Sequence, residues 1–218
     1  ATSSHQQALA LQDSQRFSDC HPGHAHTLRK SSFGWKPISW NKQPQGQGAL
    51  ADMEEELAHS PANLSVTFGF GPGFVQRAQG EVPGWLAPLP PFTVDRLEPG
   101  WSDGDLLIEV ASDEPVSVAH AVRMLLKDAR AFATIRWQQH GFRHAHGSRP
   151  AGSTMRNLFG QVDGTVNPQP GTADFDELVW IRDGWLAGGT SLVVRRIAMN
   201  LGTWDDVSRE GREQSVGR

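Results

Sequence analysis

The sequence predicts an α+β fold in which antiparallel sheet units carry helices on one face, in the ferredoxin-like arrangement. Three observations carry this expectation. Residues 63–68 alternate apolar Leu64, Val66 and Phe68 with polar Ser65 and Thr67, the period of a half-buried strand. Residues 105–111 form a nearly continuous apolar run of strand length, as a strand covered on both faces would. Between that run and a third strand at 133–138, Val118, Val122, Leu125 and Ala129 recur at helical spacing. Strand, strand, helix, strand, with a short acidic helix at 52–57 ahead of them, is the order such a unit needs.

Composition narrows the function classes. A chain of 218 residues with 38% hydrophobic content supplies a real core. Its net charge of −4 gives no electrostatic reason to bind nucleic acid or an anionic membrane, and no apolar run reaches eighteen residues. Small molecules or protein are the expected partners. The single cysteine, Cys20, excludes an internal disulfide framework. The small-residue start, Ala1-Thr2-Ser3-Ser4, suits a chain whose signal peptide has been removed, which favours a secreted or extracytoplasmic location over the cytoplasm. Eight tryptophans, ten phenylalanines and no tyrosine leave tryptophan as the seat of any protein-based radical.

Residues 1–50 are rich in Gln, Ser and His without a sustained period, so an irregular or disordered arm is expected there. Within it Cys20, His21, His24 and His26 are potential Zn or Cu ligands, but their spacing closes no four-ligand pattern, and a polar tail is the reading kept. A first ferredoxin-like unit is expected over 51–150. Its Gly69-Phe70-Gly71-Pro72-Gly73-Phe74 stretch resembles the opening of a dinucleotide fingerprint, yet Phe74 replaces the third glycine and Pro72 deletes an amide donor. Residues 79–104, full of Gly and Pro, read as a long irregular connection. Ser112 or Asp113 is the expected cap of a helix entered through Pro115. His140, His144 and His146, flanked by Arg143 and Arg149, read as a solvated cationic linker. Beyond it, residues 151–218 are expected to start a second unit too short to close its own sheet. It would hold a short strand at 178–181, a turn at 182–185, a long strand at 191–199 and a helix begun at Thr203 with Asp206 three residues on.

The most constrained stretch is Arg156-Asn157-Leu158-Phe159-Gly160-Gln161-Val162-Asp163-Gly164-Thr165-Val166-Asn167-Pro168. Its glycines permit positive φ or close approach, and Pro168 forbids a continuing helix. Asp163 is therefore expected on a tight turn, partly desolvated by Leu158, Phe159 and Val162 and so tunable for proton transfer. Arg195 and Arg196, adjacent on the last strand, would face opposite sides. Each wants an anion: a carboxylate-bearing cofactor, or Asp205, Asp206 or Glu177.

The extended Gly-x-x-Asp-Gly stretch resembles that of the dye-decolourising peroxidases, a haem enzyme family. Residues 180–190, the Val194-Arg195-Arg196-Ile197 segment, residues 204–218 and residues 64–74 are similar to the family as well. The resemblance implies a dimeric α+β barrel type fold and a haem b, with its iron, held by the second unit. It implies Asp163 as the distal acid–base residue that moves a proton from the inner to the outer oxygen of hydrogen peroxide. Gly164, Thr165 and Val166 would line the haem edge, and Arg196 is grouped with these cofactor-binding residues. Dyes and phenolic compounds, small aromatic reductants, would be the substrates. The family's proximal histidine and distal arginine are expected beyond residue 218, and no histidine follows His146. The expected product is thus an enzyme lacking its C-terminal part, a homo-oligomer, or a chain completed by a second polypeptide. The alternative is a non-catalytic haem- or iron-binding module.

Overall fold

The computed structural model describes residues 3–13 and 31–36 as backbone, and residues 62–145, 148–150 and 152–217 in full apart from the side chain of Ala145. Cys20, His21, His24, His26, His146 and the helix expected at 52–57 lie outside the described residues. The described chain forms two compact units, residues 1–149 with 168–195, and residues 150–167 with 196–218. Among the described residues no helix is long and apolar enough to cross a membrane.

The first unit is built on a six-stranded sheet with β1 (Ser3–Asp13), β2 (Ser31–Lys36), β3 (Ser65–Phe70), β4 (Leu106–Ser112), β5 (Ala133–Ala145) and β6 (Thr190–Val194), in the spatial order β5-β1-β4-β3-β2-β6. All neighbours are antiparallel. β4 lies between β1 and β3, so its pairing is complete on both edges. Its side chains alternate faces. Ile108 and Val110 pack against Val118, Ala121 and Val122 of helix α2 (Pro115–Ala129), while Leu107 packs with Trp137 of β5 on the opposite face. Leu192 and Val194 of the edge strand β6 also pack on the Leu107–Trp137 pair, so the sheet curls until side chains from both ends of the strand order meet. α2 is entered as read, with Pro115 in its first turn, but its cap is Glu114, whose carboxylate accepts from Ser117 N at 2.5 Å. Ser112 and Asp113 are engaged elsewhere: Ser112 Oγ donates to Ala62 O at 2.7 Å and Asp113 accepts from Asn63 Nδ2 at 2.5 Å.

Several expectations are corrected. Residues 3–13 and 31–36, read as irregular arm, are strands, because their backbones find partners in β4, β5, β3 and β6 that composition does not report. β5 continues through His140 to Ala145, where a linker was expected, because β1 pairs with it past Gln138. Residues 173–179 form helix α3 (Ala173–Val179) instead of a strand at 178–181. Thr172 Oγ1 accepts from Phe175 N at 3.2 Å, and Asp174 and Asp176 favour the positive end of the first turn. A short apolar run is ambiguous between the two states, and the cap decides it. β6 stops at Val194, well short of residue 199, because β2 offers partners only for residues 190–194.

The glycines after β3 have a packing reason. Helix α1 (Pro72–Arg77) starts where Gly71 N donates to Asp105 O at 2.8 Å, and a Cβ on Gly71 would overlap the Gly104 carbonyl oxygen. A Cβ on Gly73 would overlap the Asp105 carboxylate, which pairs with Arg77. Gly71→Ala is therefore expected to destabilise the fold by about 1–3 kcal/mol in a denaturant melt. Gly84→Ala, with open space around its Cβ, is expected to stay near neutral.

Glu109 sits on the Leu107 face of β4, and burial there raises its pKa above the ordinary 4.5. With the folded value raised, the protonated acid's contribution is complete below the unfolded value and is lost as pH rises through the folded one. Glu109→Gln is expected to be more stable than the parent at pH 7, with the two melting curves converging below about pH 4.

Candidate active site

The second unit carries the Asp163 loop and two short helices, α4 (Leu201–Asp205) and α5 (Arg209–Ser215). The loop is a closed hairpin. Arg156 and Val162 form an antiparallel bridge, Asn157 N donates to Gln161 O at 2.9 Å, and Asp163 N donates to Met155 O at 2.9 Å. At its apex Gly160 N donates to Asn157 O at 2.9 Å. Asn at the first and Gly at the last position is the composition such a turn favours. Gly160 has φ +74° and Gly164 has φ +106°, so both glycines hold the positive-φ positions expected of them. Arg156 Nη1 donates to Gly160 O at 2.6 Å and steadies the same turn. A second turn follows directly, with Asn167 N donating to Gly164 O at 3.1 Å and Thr165 and Val166 at its tip.

Asp163 is thus on a tight turn, but it is exposed and not partly desolvated as expected. Leu158, at 63% exposure, points its surface to solvent instead of covering the acid. Among the described residues the carboxylate is held by one side chain, Asn157, whose Nδ2 donates to Asp163 Oδ2 at 3.3 Å. Thr165 and Val166 are also exposed, Val166 at 94%.

The two arginines do not share a strand, because β6 ends before them. Arg195 belongs to the first unit, where its Nη2 contacts Asp95 Oδ1 at 3.1 Å and its guanidinium lies 5.8 Å from the centre of the Phe92 ring. Among the described residues its acid is Asp95, not Asp205, Asp206 or Glu177. Asp95, 7% exposed, is a hundred residues away in sequence, which is why local reading missed it. Arg196 is half-buried and belongs to the second unit with Asp163, Gly164, Thr165 and Val166.

Asn157 and Trp204 were not singled out from sequence. Trp204 Nε1 donates to Phe159 O at 3.0 Å, and the two rings are 4.9 Å apart and tilted by 56°. Arg212 covers the indole at 5.9 Å and closes α4 by donating from Nε to Val207 O at 2.8 Å and from Nη2 to Asp205 O at 2.9 Å. α4 is capped by Asn200 and α5 by Ser208, so Thr203 and Asp206 are not the capping pair expected. The signal available in sequence was the Asn-x-x-Gly turn composition; the tryptophan had none.

A flat macrocycle needs backbone free to approach it and apolar surface to rest on. Gly164 at positive φ meets the first need, and the exposure of Val166, Leu158 (63%) and Ile197 (58%) the second. The haem iron needs a different kind of residue. Residues 150–167 and 196–218 contain neither histidine nor cysteine, and among the described residues no group of three or more His, Cys, Asp or Glu is arranged to hold a metal. Residues 150–167 and 196–218 thus offer glycine backbone and exposed apolar side chains that a macrocycle could rest on, and no imidazole or thiolate for its iron.

Comparison with known proteins places the chain in a family. Residues 25–143 match the Dyp-type peroxidase N-terminal family model and residues 154–218 the C-terminal one. The chain is 38% identical over 193 residues to the dye-decolorizing peroxidase of Thermobifida fusca, a match covering 84% of this chain and 45% of that protein. It is 30% identical over 168 residues to the deferrochelatase of Yersinia pestis, covering 72% of this chain and 39% of that protein. The chain therefore spans less than half the length of these curated relatives. Among solved structures, the DyP-type peroxidase from Cellulomonas bogoriensis superposes with a TM-score of 0.76 at 41% identity, covering 99% of this chain and 59% of that one. DtpA from Streptomyces lividans, solved as an oxyferrous complex, superposes with a TM-score of 0.78 at 32% identity, covering 100% and 59%. The N-terminal match alone takes in more than half of the chain, and the chain belongs to the Dyp-type peroxidase family.

Proposed function

We propose that this chain carries the proton-handling side of a haem-dependent peroxidase that oxidises dyes and phenolic compounds with hydrogen peroxide. The observation that carries the reading is an exposed carboxylate, Asp163, on a loop whose next residue is a positive-φ glycine followed by two exposed side chains. A small molecule reaches that carboxylate without rearrangement of the loop.

Gly164, Thr165 and Val166 would hold the edge of a haem b, with Arg196 offering a cation to its carboxylate groups. Haem, when bound, supplies the redox-active iron that peroxide oxidises and that aromatic reductants restore. Asp163 takes the proton from the inner peroxide oxygen at one carboxylate oxygen and returns it to the outer oxygen, which leaves as water. Positioned proton transfer of this kind contributes on the order of 10²–10⁴ in rate. The S. lividans neighbour, solved as an oxyferrous complex, supports the cofactor class.

Asp163→Asn is expected to lower kcat/KM for peroxide by about 10²–10⁴ in haem-loaded protein while the visible spectrum of the bound haem persists. A non-catalytic haem- or iron-binding module would keep the same spectrum and have no turnover to lose. Unchanged peroxide turnover in the variant sinks the role given to Asp163. Val166→Glu tests the cofactor surface separately. At 94% exposure the substitution is expected to leave stability within about 0.5 kcal/mol yet to weaken haem uptake in a spectral titration. An unaltered titration removes Val166 from the haem edge.

A further inference from the structure

Asp163 is exposed, so packing does not aim its carboxylate; the hydrogen bonds of the loop do. Asn157 stands at their centre. Its Oδ1 accepts from Phe159 N at 3.0 Å and from Gln161 N at 3.2 Å, fixing the hairpin apex from inside. Its Nδ2 is thereby turned the other way, where it donates to Asp163 Oδ2 at 3.3 Å. The amide is used at both ends, so its orientation is not free to reverse: a flip would aim a donor at two backbone N–H groups and an acceptor at a carboxylate. The backbone of Asn157 is held as well, its N–H on Gln161 O and its carbonyl on Gly160 N, both at 2.9 Å. The apex it shapes is anchored from outside by the Trp204 indole on Phe159 O.

We propose that Asn157 is a positioning residue for Asp163, setting the shape of the loop through Oδ1 and the direction of the carboxylate through Nδ2. The proposal rests on the catalytic reading of Asp163. A carboxylate accepting from Asn157 on Oδ2 keeps Oδ1 as the oxygen presented to peroxide, so one oxygen is anchored while the other handles the proton. Misdirecting a proton-transfer group by a bond rotation costs rate without touching the reductant, so the defect belongs in the peroxide step.

Two variants separate the two ends of the side chain. Asn157→Asp keeps oxygen acceptors for Phe159 N and Gln161 N but has no donor for Asp163; Asn157→Ala removes both. In the chain without haem, hydrogen–deuterium exchange followed by NMR is expected to show the Phe159 and Gln161 amides exchanging about tenfold faster in Asn157→Ala and protected in Asn157→Asp. Asp163→Ala is expected to shift the Asn157 side-chain amide resonances while leaving those two amides protected. In haem-loaded protein both Asn157 variants are expected to lose about tenfold or more in kcat/KM for peroxide, with KM for the reductant unchanged. Full peroxide reactivity in Asn157→Asp overturns the proposal, as do unchanged exchange rates in Asn157→Ala or unmoved Asn157 resonances in Asp163→Ala. The exchange and resonance measurements need no haem and no turnover. They decide what Asn157 holds even if Asp163→Asn keeps its activity, an outcome that removes the catalytic reading alone.

Discussion

Burial of β4 on both faces and pairing of it on both edges is the constraint on which the first unit depends. Leu107 and Val110 have no exposed surface, and they lie on opposite faces of the strand. Each such burial contributes on the order of 2 kcal/mol, and each recruits a different layer. Val110 and Ile108 draw α2 onto the sheet, while Leu107 and Trp137 gather Leu192 and Val194 from the far edge. Even the entry to the strand is committed, since Gly71 can approach the Gly104 carbonyl only without a side chain. Glu109 is the one charge in this strand, and burial on the Leu107 face raises its pKa.

Local period was enough to read β3, β4, α2 and the start of β5, because each buries a stripe whose spacing is written in a few consecutive residues. What could not be read was set by distant partners. The strands at residues 3–13 and 31–36 and the second half of β5 exist through pairing, and the polar residues along them carry little periodic signal. The same holds for the curl of the sheet and for Arg195, whose acid lies on the irregular segment at Asp95. In α3 the local information was present but mis-weighted: Thr172 with Asp174 and Asp176 is a helix start, and it outweighs four apolar residues of strand character.

The loop shows the same division at smaller scale. Two glycines and a closing proline foretold a turn bearing an acid, and the backbone at Gly160 and Gly164 has the conformation those residues allow. The environment of the acid was not foretold, because Leu158, close to it in sequence, faces solvent and the acid is exposed. A carboxylate in the open is steered by hydrogen bonds, and the group that steers it, Asn157, lies six residues upstream across the hairpin. The family resemblance seen in the motif agrees with relatives matched over most of this chain.

The indole that grips Phe159 follows it by forty-five residues, and between the two the chain passes through α3 and β6 of the other unit. Order of synthesis therefore separates the acid from its scaffold. When residues 155–167 leave the ribosome, the hairpin bonds and the Asn157 side chain are all in reach, but the anchor on its apex is not yet made. The loop acquires its outer support only after residues 190–194, which form β6 of the other unit, have been synthesised. Synthesis of the anchor thus follows synthesis of the last strand of the other unit, and a ribosome pausing between residues 167 and 204 would expose the acid on an unanchored hairpin.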